Sequence, residues 1–278
     1  MSLPGVPGLP PAQALAWSET LAMADDPGGR PSLSLWLPSG GLTVAIGLSQ
    51  KPERELDLAA MRRDGVGLVR RQSGGGAVLL GPGVLCWEAA APLPWLEAAG
   101  GAGIHNAYAV LSRPIVEALR RLGLEVFQAG ICDLSIAGAA AEPARKLAGT
   151  AQLRRKNRVL AHGSLLLDID LSLLSRYLKP PSEQPEYRAG RGHAEFCQTA
   201  ADKLGLDAAG RKALPGRLAR AAAAVLAPSG WDWLVPPNPP PPAALRLMRE
   251  KYLADAWNFQ GRLPGRGADI NAGCQPTR

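Results

Sequence analysis

The chain has 278 residues, of which 46% are hydrophobic and 20% are charged. That is enough apolar sequence for one large core or two modest ones, so the fibrous, collagenous and wholly disordered classes are excluded. With 31 basic and 24 acidic residues, the net charge of +7 favours an anionic ligand or partner: a nucleotide, an acidic protein surface or a nucleic acid.

The cysteines and the N-terminus bear on the cellular compartment. The four cysteines are far apart and form no CxxC pair, so neither a disulfide framework nor a zinc cluster is expected: Cys86, Cys132, Cys197 and Cys274. The N-terminus has no basic segment and is interrupted by prolines, and no run of about 18 uncharged apolar residues follows. We therefore expect a soluble cytoplasmic protein without a membrane segment.

The first half of the chain predicts one helix followed by short strands. An amphipathic helix is expected over residues 12–24. Short apolar runs bounded by Gly, Pro and Ser predict strands at 34–37, 42–47, 66–71, 77–80 and 84–91. The last two runs flank Gly81-Pro82-Gly83, which predicts a turn between them. We expect this half to be a β-rich sheet made of hairpins.

The second half predicts a long helix, more strands and then further helices. Apolar residues recur with helical period over 104–122, with Pro114 as a kink or break. Strands are expected at 124–127, 134–137, 147–153 and 159–167, the last two joined by a basic turn. Helices are expected at 171–178, 193–204 and 208–226.

Composition divides the chain into five parts. Residues 1–11 are expected to be a flexible N-terminus and residues 12–235 the main domain. The run PPNPPPP at 236–242 predicts a stiff polyproline linker that separates off a short C-terminal helix at 243–260. Residues 261–278 have little apolar sequence to pack, which predicts a disordered tail.

Three segments carry the candidate chemistry. Arg70 and Arg71 precede a triple glycine at 74–76, whose missing side chains let an anion lie against backbone N–H groups. An ordinary glycine-rich hairpin loop is the alternative. Lys146 opens a strand and follows Asp133 by thirteen residues, and its ammonium suits a phosphate or carbonyl oxygen. His162 and Gly163 interrupt an apolar strand.

In this order, the segments RRQSGGGAVLLGPG, DLSIAG…RKLAGTAQ and AHGSLLLDIDLSLLSRYL resemble the lipoate–protein ligase A family of the biotin/lipoate ligase and octanoyltransferase superfamily. The resemblance covers residues 12 to 200. It implies a mixed α/β (α+β) catalytic domain with a largely antiparallel sheet, flanking helices and an acyl-adenylate site.

The resemblance also implies roles for individual residues. Lys146 matches the family's reactive-site lysine. The ATP or acyl-adenylate site is expected to include Arg71, Gly76, Ala77, Val78, Leu79, Asp133, Lys146, Gly149, Thr150 and Ala151. The lipoate side is expected to include Arg70, Ser73, Gly75, Lys146, His162 and Gly163. Asp133 is expected near the adenylate or its Mg²⁺.

The implied reaction uses ATP and Mg²⁺ to convert lipoate or octanoate to an acyl-adenylate, which an acceptor lysine then attacks. The implied acceptors are lipoyl domains of 2-oxoacid dehydrogenase E2 proteins, the glycine-cleavage H protein or a specialised lipoate-binding protein. The chain departs from the family at Leu79-Leu80, where a His is common, and at Cys132, where an Asn is common. It leaves no room for the accessory domain of long-form ligases, so we expect a partner subunit or a self-sufficient enzyme.

Two other functions stay open. The first is an ATP-independent octanoyl or lipoyl transferase with Cys132 as nucleophile, which needs a thiolate that a neighbouring ammonium stabilises. Against it, a lone cysteine is usually a small buried hydrophobe. The second is a non-catalytic binding or nucleic-acid protein, prompted by the positive charge. The basic residues are scattered and no nucleic-acid-binding motif is found, so no nucleic-acid partner is expected.

Overall fold

The computed structural model describes residues 5–26, 28–138, 143–180 and 184–263. The predictions for residues 1–4 and 264–278 lie outside these ranges. In the described parts of the chain, no helix is both long and apolar enough to cross a lipid bilayer.

Strands and helices follow one another in groups along the described chain. The strands are β1 (Gly8–Leu9), β2 (Ser32–Pro38), β3 (Thr43–Ile46), β4 (Gly67–Arg70), β5 (Val78–Leu80), β6 (Val84–Pro92), β7 (Val126–Ala129), β8 (Asp133–Ile136), β9 (Arg145–Arg154), β10 (Arg158–Leu166) and β11 (Asp232–Leu234). The helices are α1 (Pro11–Met23), α2 (Pro52–Glu55), α3 (Leu58–Asp64), α4 (Leu93–Ala98), α5 (Gly103–Arg121), α6 (Ser172–Tyr177), α7 (His193–Phe196), α8 (Ala200–Lys203), α9 (Ala208–Leu226), α10 (Pro242–Leu247) and α11 (Asp255–Gln260). A 3₁₀ turn (Glu186–Arg188) and a π-helical turn (Met248–Tyr252) complete the elements.

An eight-stranded sheet forms the centre of the fold. Its strand order is β1-β2-β6-β10-β9-β8-β7, with β11 also paired to β2. The pairs from β2 to β7 along this path are antiparallel, whereas β1 and β11 run parallel to β2. The central strand β6 is buried along its whole length, as its run of apolar residues requires. The expected mixed α/β fold with a largely antiparallel sheet is confirmed.

Two long helices, α5 and α9, cover one face of this sheet. Leu111, Ile115 and Leu119 of α5 pack with Leu214 and Leu218 of α9 in the larger core. The predicted period of α5 is correct, but Pro114 does not end the helix, which continues to Arg121. The helix expected at 193–204 is instead two short helices, because the extended Cys197 pairs with Lys146 and Thr199 caps α8.

The other face carries α1, a second core and a three-stranded sheet of order β4-β3-β5. The expected hairpin of β5 and β6 is wrong, because β5 pairs with β3 and β6 pairs with β2 and β10. The intervening Gly83 has a φ of +86°, and a Cβ there would lie 2.6 Å from backbone atoms of Asp168 and Ile169. This glycine lets the chain cross tightly from the small sheet to the large one.

Two segments near the ends of the described chain, residues 5–11 and 243–260, are packed more closely than their composition predicts. The segment expected to be a flexible N-terminus includes β1, where Leu9 is fully buried. The segment after the proline run does not stand apart as one helix, because α10 and the π-helical turn pack on α1. Tyr252 and Trp257 are both 1% exposed. The apolar residues of this segment therefore complete the second core.

A buried ion pair ties the C-terminal segment to α1. Lys251 Nζ lies 2.7 Å from Glu19 Oε2, and Tyr252 OH donates to the same oxygen at 2.6 Å. The side chains of Lys251 and Glu19 are 6% and 8% exposed. Removing one partner would leave the other charge buried without its counter-ion.

Lys251→Met is therefore expected to lower the free energy of unfolding by about 3–5 kcal/mol. Arg246→Met is the matched control, because the Arg246–Glu250 pair in the same segment is 77% and 63% exposed and is expected to contribute less than about 1 kcal/mol. Urea denaturation of both variants checks this. Equal losses in the two variants would contradict a stabilising buried pair.

Candidate active site

A cavity lies between the large sheet, α1 and the loop that follows β4. The structure brings most of the predicted site residues together on its walls. They are Arg71, Gly75, Gly76, Ala77, Val78, Asp133, Lys146, Gly149, Thr150, Ala151, His162 and Gly163.

A β-bulge places Lys146 in this cavity. Leu134 pairs with Ala148 but the next residue of β8, Ser135, pairs with Lys146, so Leu147 is an extra residue in β9. Leu147 and Ala148 both face the larger core as a result. The bulge interrupts the alternation of side chains and returns Lys146 to the cavity face beside Gly149.

Lys146 and Asp133 form an ion pair inside the cavity. Nζ of Lys146 lies 2.7 Å from Oδ1 of Asp133, and Tyr187 OH donates to Oδ2 at 2.8 Å. Burial alone would lower the pKa of Lys146, but the charge of Asp133 and its hydrogen bond outweigh burial, so this pKa is raised. The ammonium is therefore fully protonated at neutral pH.

Gly149 makes room for this ammonium. A Cβ at Gly149 would lie 3.1 Å from Nζ and 3.2 Å from Cε of Lys146. That is tighter than an ordinary van der Waals contact, so the lysine would have to shift. Gly149, which is expected at the ATP site, thus leaves space for the lysine side chain.

The glycine loop presents backbone to the cavity. A Cβ at Gly74 or Gly76 would meet no atom within 4 Å, so both positions face open space. Gly75 has a φ of +88°, a conformation that favours glycine. Its carbonyl lies so close to Gly47 that a side chain at Gly47 would collide with it. The loop therefore packs tightly against the end of β3 and leaves its other side bare.

Arg71 organises this loop from within. Its Nη2 donates to the carbonyls of Gly74 and Gly76, each at 2.8 Å, and Nη1 donates to that of Ala45 at 3.1 Å. Burial lowers the pKa of Arg71 to about 10, so the guanidinium stays charged at neutral pH. Arg71 thus holds the loop in shape and places a positive charge beneath it.

His162 is hydrogen-bonded to Ser73. Ser73 Oγ lies 2.6 Å from His162 Nε2 and accepts from Arg71 Nε at 3.2 Å, which leaves its own proton to donate to the imidazole. Burial, and then the charge of Arg71, lower the pKa of His162 to about 3. The imidazole is therefore neutral at neutral pH, when it links the loop to β10.

Three predicted residues do not line the main cavity. The side chain of Arg70 was expected on the acyl side but points to the C-terminal segment, where it donates to the carbonyls of Trp257 and Phe259. Leu79 is 1% exposed in the second core because β5 turns that side chain away. Ser73 lines a smaller adjoining pocket and reaches the site through His162.

Several cavity residues were not expected from the sequence. They are Leu15, Trp36, Ala45, Leu80, Cys86, Trp87, Glu88 and Ser164. For Glu88 a signal exists, because it is the one charged residue in the otherwise apolar run of β6. Such a residue is buried only with hydrogen-bonding partners.

Glu88 accepts hydrogen bonds from uncharged donors. Oε1 accepts from the Ser18 hydroxyl and from Trp36 Nε1 at 3.3 Å, and Oε2 accepts from the Ser34 hydroxyl at 3.4 Å. Its side chain is 2% exposed. Burial raises the pKa of Glu88 to about 7, although the three donors act in the opposite direction. The carboxyl group therefore changes its protonation near neutral pH.

Cys132 also lines the cavity, directly before Asp133. Burial, followed by the charge of Asp133, raises the pKa of its thiol, while Lys146 and Arg71 lower it. The net shift is upward, so the thiol is protonated at neutral pH. Its carbonyl accepts from Thr150 N at 3.0 Å and from the Thr150 hydroxyl.

The expected role of Asp133 with Mg²⁺ stays a prediction. Oδ1 of Asp133 pairs with Lys146 and Oδ2 accepts from Tyr187. Across the described ranges, no group of three or more His, Cys, Asp or Glu side chains could hold a metal ion. A Mg²⁺ ion that is held by one carboxylate together with substrate phosphates needs no such group.

Comparison with known proteins agrees with this arrangement. The family described as the lipoyl protein ligase A/B catalytic domain matches residues 10–203. The chain belongs to this family. The match includes all the predicted residues that line the cavity, and it ends before the C-terminal segment.

Three relatives illustrate the range of the family. Octanoyltransferase LipM of Geobacillus kaustophilus is 33% identical over 209 residues, which are 66% of this chain and 70% of that protein. A bi-partite lipoate protein ligase of Thermoplasma acidophilum, studied with its E2 lipoyl domain, is 25% identical, covers 91% of this chain and 95% of its own, and has a TM-score of 0.71. A lipoate-protein ligase A bound with ATP is 25% identical, covers 92% and 98%, and has a TM-score of 0.69.

The raised pKa of Glu88 makes stability depend on pH. Because the folded protein holds the proton more tightly than the unfolded chain, stability falls as pH rises from about 4.5 to about 7. Glu88→Gln cannot ionise and does not show this loss. The free energy of unfolding of the variant, relative to that of wild type, should therefore rise by up to about 3 kcal/mol from pH 5 to pH 8. Urea denaturation at both pH values checks it, and parallel pH curves would contradict the buried, titrating carboxyl group.

Gly163→Ala is expected to destabilise the fold. A Cβ at Gly163 would lie 2.5 Å from Nε1 of Trp87, a rigid buried ring that cannot move aside. We expect a loss of about 1–3 kcal/mol in the free energy of unfolding. Gly216→Ala in α9 is the matched control and should raise stability by about 0.5–1 kcal/mol, because an exposed helix position favours alanine. The same sign in both variants would contradict the packing argument.

Proposed function

We propose that this chain is a lipoate–protein ligase, which activates lipoate or octanoate with ATP and transfers the acyl group to a lysine of a lipoyl-domain protein. The observation that carries this proposal is the Lys146 ammonium, held by Asp133 in a cavity that also contains a bare glycine loop. The ATP-bound ligase A of similar fold supports ATP as the second substrate.

In the first step, the carboxylate of the acid attacks the α-phosphorus of ATP and pyrophosphate leaves. Lys146 binds the acid's carboxylate and stabilises the charge that develops between it and the α-phosphate. Asp133 holds the ammonium in place and Tyr187 holds Asp133, so the ammonium needs no reorientation when the reaction occurs. The backbone of the loop and the charge of Arg71 favour the phosphates.

In the second step, the amine of an acceptor lysine attacks the acyl carbonyl, and AMP leaves with the electrons of the broken bond. The proposed acceptors are the lipoyl domains of E2 proteins, the H protein or a similar carrier. The ligase studied with its E2 lipoyl domain supports this class of partner. That ligase is bi-partite, so the need for a separate accessory subunit is part of the test below.

A second candidate is an octanoyltransferase that uses Cys132. Two observations favour it: the thiol lines the same cavity, and the LipM octanoyltransferase is 33% identical. In this reaction the thiolate attacks the carbonyl of a carrier thioester and the carrier's thiolate leaves. The acceptor lysine then attacks the acyl-thioester on Cys132, and the Cys132 thiolate leaves. Lys146 would then act by lowering the pKa of the thiol, against burial and Asp133.

The test is acid-dependent pyrophosphate release from ATP and Mg²⁺, with lipoate or octanoate and no acceptor. The wild-type chain should release pyrophosphate, and Lys146→Ala should slow release by about 10²–10³-fold, by analogy with the loss of one oxyanion donor. Lys156→Ala is the matched control, because this lysine lies on the exposed β9–β10 turn. Release by Lys146→Ala at the wild-type rate would remove it from the mechanism.

Cys132→Ser separates the two candidates. If the chain is a ligase, this variant retains pyrophosphate release and acceptor acylation, because the Cys132 thiol takes no part in either step. A transferase instead releases no pyrophosphate, forms an acyl-thioester on Cys132 from octanoyl carrier protein, and loses acceptor acylation in the variant. Release that begins only when an accessory subunit is added supports a bi-partite ligase.

A further inference from the structure

The apolar part of the cavity contains a buried carboxyl group, that of Glu88. Glu88 lies on β6 beside Leu15, Trp36 and Cys86, all of which line the same cavity. The groups that stabilise its charged form are Ser18, Trp36 and Ser34, none of which is itself charged. Glu88 is thus a buried carboxyl group that the proposed chemistry at Lys146 does not use.

Glu88 retains hydrogen-bonding capacity. A carboxylate can accept about four hydrogen bonds. Oε1 accepts two, whereas Oε2 accepts only the bond from Ser34, whose 3.4 Å length is at the outer limit for a hydroxyl donor. Glu88 therefore has unused hydrogen-bonding capacity and lines the cavity.

The position of Glu88 matches the far end of a bound acyl chain. Lys146 lies on β9 and Glu88 on β6, with β10 between them. Nζ of Lys146 lies beside Gly149, which faces Cys86 across β10, two residues along β6 from Glu88. Two strand spacings and two residues combine to about 12 Å, comparable to an eight-carbon chain with its two end groups. An acid whose carboxylate meets Lys146, as the proposed function requires, directs its other end toward Glu88.

We propose that Glu88 determines which acyl chains the site accepts, and that it favours chains whose far end carries a hydroxyl or thiol over chains that end in a methyl group. This rests on the proposed function. A methyl end would lie against the buried carboxyl group and return no hydrogen bond to it. A hydroxyl pairs with Glu88 in either state, as a donor to the carboxylate or as an acceptor from the neutral acid.

The test measures binding of octanoic acid and its ω-hydroxylated analogue to the full chain by calorimetry. Wild type should prefer the hydroxy acid. In Glu88→Leu the ratio of the two dissociation constants should shift toward octanoic acid by at least about tenfold, since one hydrogen bond to a carboxyl group is lost. Glu88→Gln keeps a hydrogen-bonding group, so its ratio should stay close to that of wild type.

Each other outcome counts against the proposal. An unchanged ratio in Glu88→Leu, while wild type still releases pyrophosphate with octanoate, overturns the role of Glu88 and leaves the proposed function intact. Binding of neither acid by wild type contradicts the proposed function and this inference together. Should Glu88→Leu not fold, as circular dichroism would reveal, a tenfold preference of wild type for octanoic acid overturns the proposal by itself.

Discussion

The ion pair of Lys146 and Asp133 is the interaction on which the rest of the site depends. It exists because one extra residue, Leu147, is inserted in β9 and returns the lysine to the cavity face. The same insertion places two successive residues in the larger core, which fixes the register on both sides. The insertion of Leu147 therefore determines both the packing of the sheet and the position of the Lys146 charge.

The remaining charges are arranged around this pair. Arg71 donates its hydrogen bonds to carbonyls of its own loop. It therefore stabilises the loop and supplies a buried positive charge, rather than binding a phosphate directly. His162 is neutral and links that loop to the sheet. With Lys146 largely balanced by Asp133, the charge of Arg71 gives the loop side of the cavity a positive potential that suits an anionic substrate.

The C-terminal segment reaches the same loop from outside. Asn258 Oδ1 accepts from Arg70 N at 2.9 Å, Trp257 Nε1 donates to Arg70 O at 2.7 Å, and Lys251 donates to Gln72. Arg70 and Gln72 flank Arg71 in the chain. A segment beyond residue 203, where the family match ends, therefore fixes both neighbours of the loop's central arginine.

Patterns in the sequence predicted the strands, helices and motifs that depend on residues close together in the chain. The apolar runs located β2 to β10, the period of α5 located that helix, and the three motif segments located Lys146, Asp133 and the loop. Contacts distant in sequence were missed: the side chain of Arg70 is turned by residues more than 180 positions away, and the crossing at Gly83 separates two strands that resemble a hairpin. The bulge at Leu147 was also missed, because an extra residue in a strand leaves no mark on composition.

The most direct test of this account is a double-mutant cycle on acid-dependent pyrophosphate release, with Lys146→Met, Asp133→Asn and the double variant. If Asp133 acts by holding the ammonium, the double variant should lose no more activity than Lys146→Met alone, because the two residues work as one unit. Losses that multiply would contradict this, since they would give Asp133 a contribution independent of Lys146.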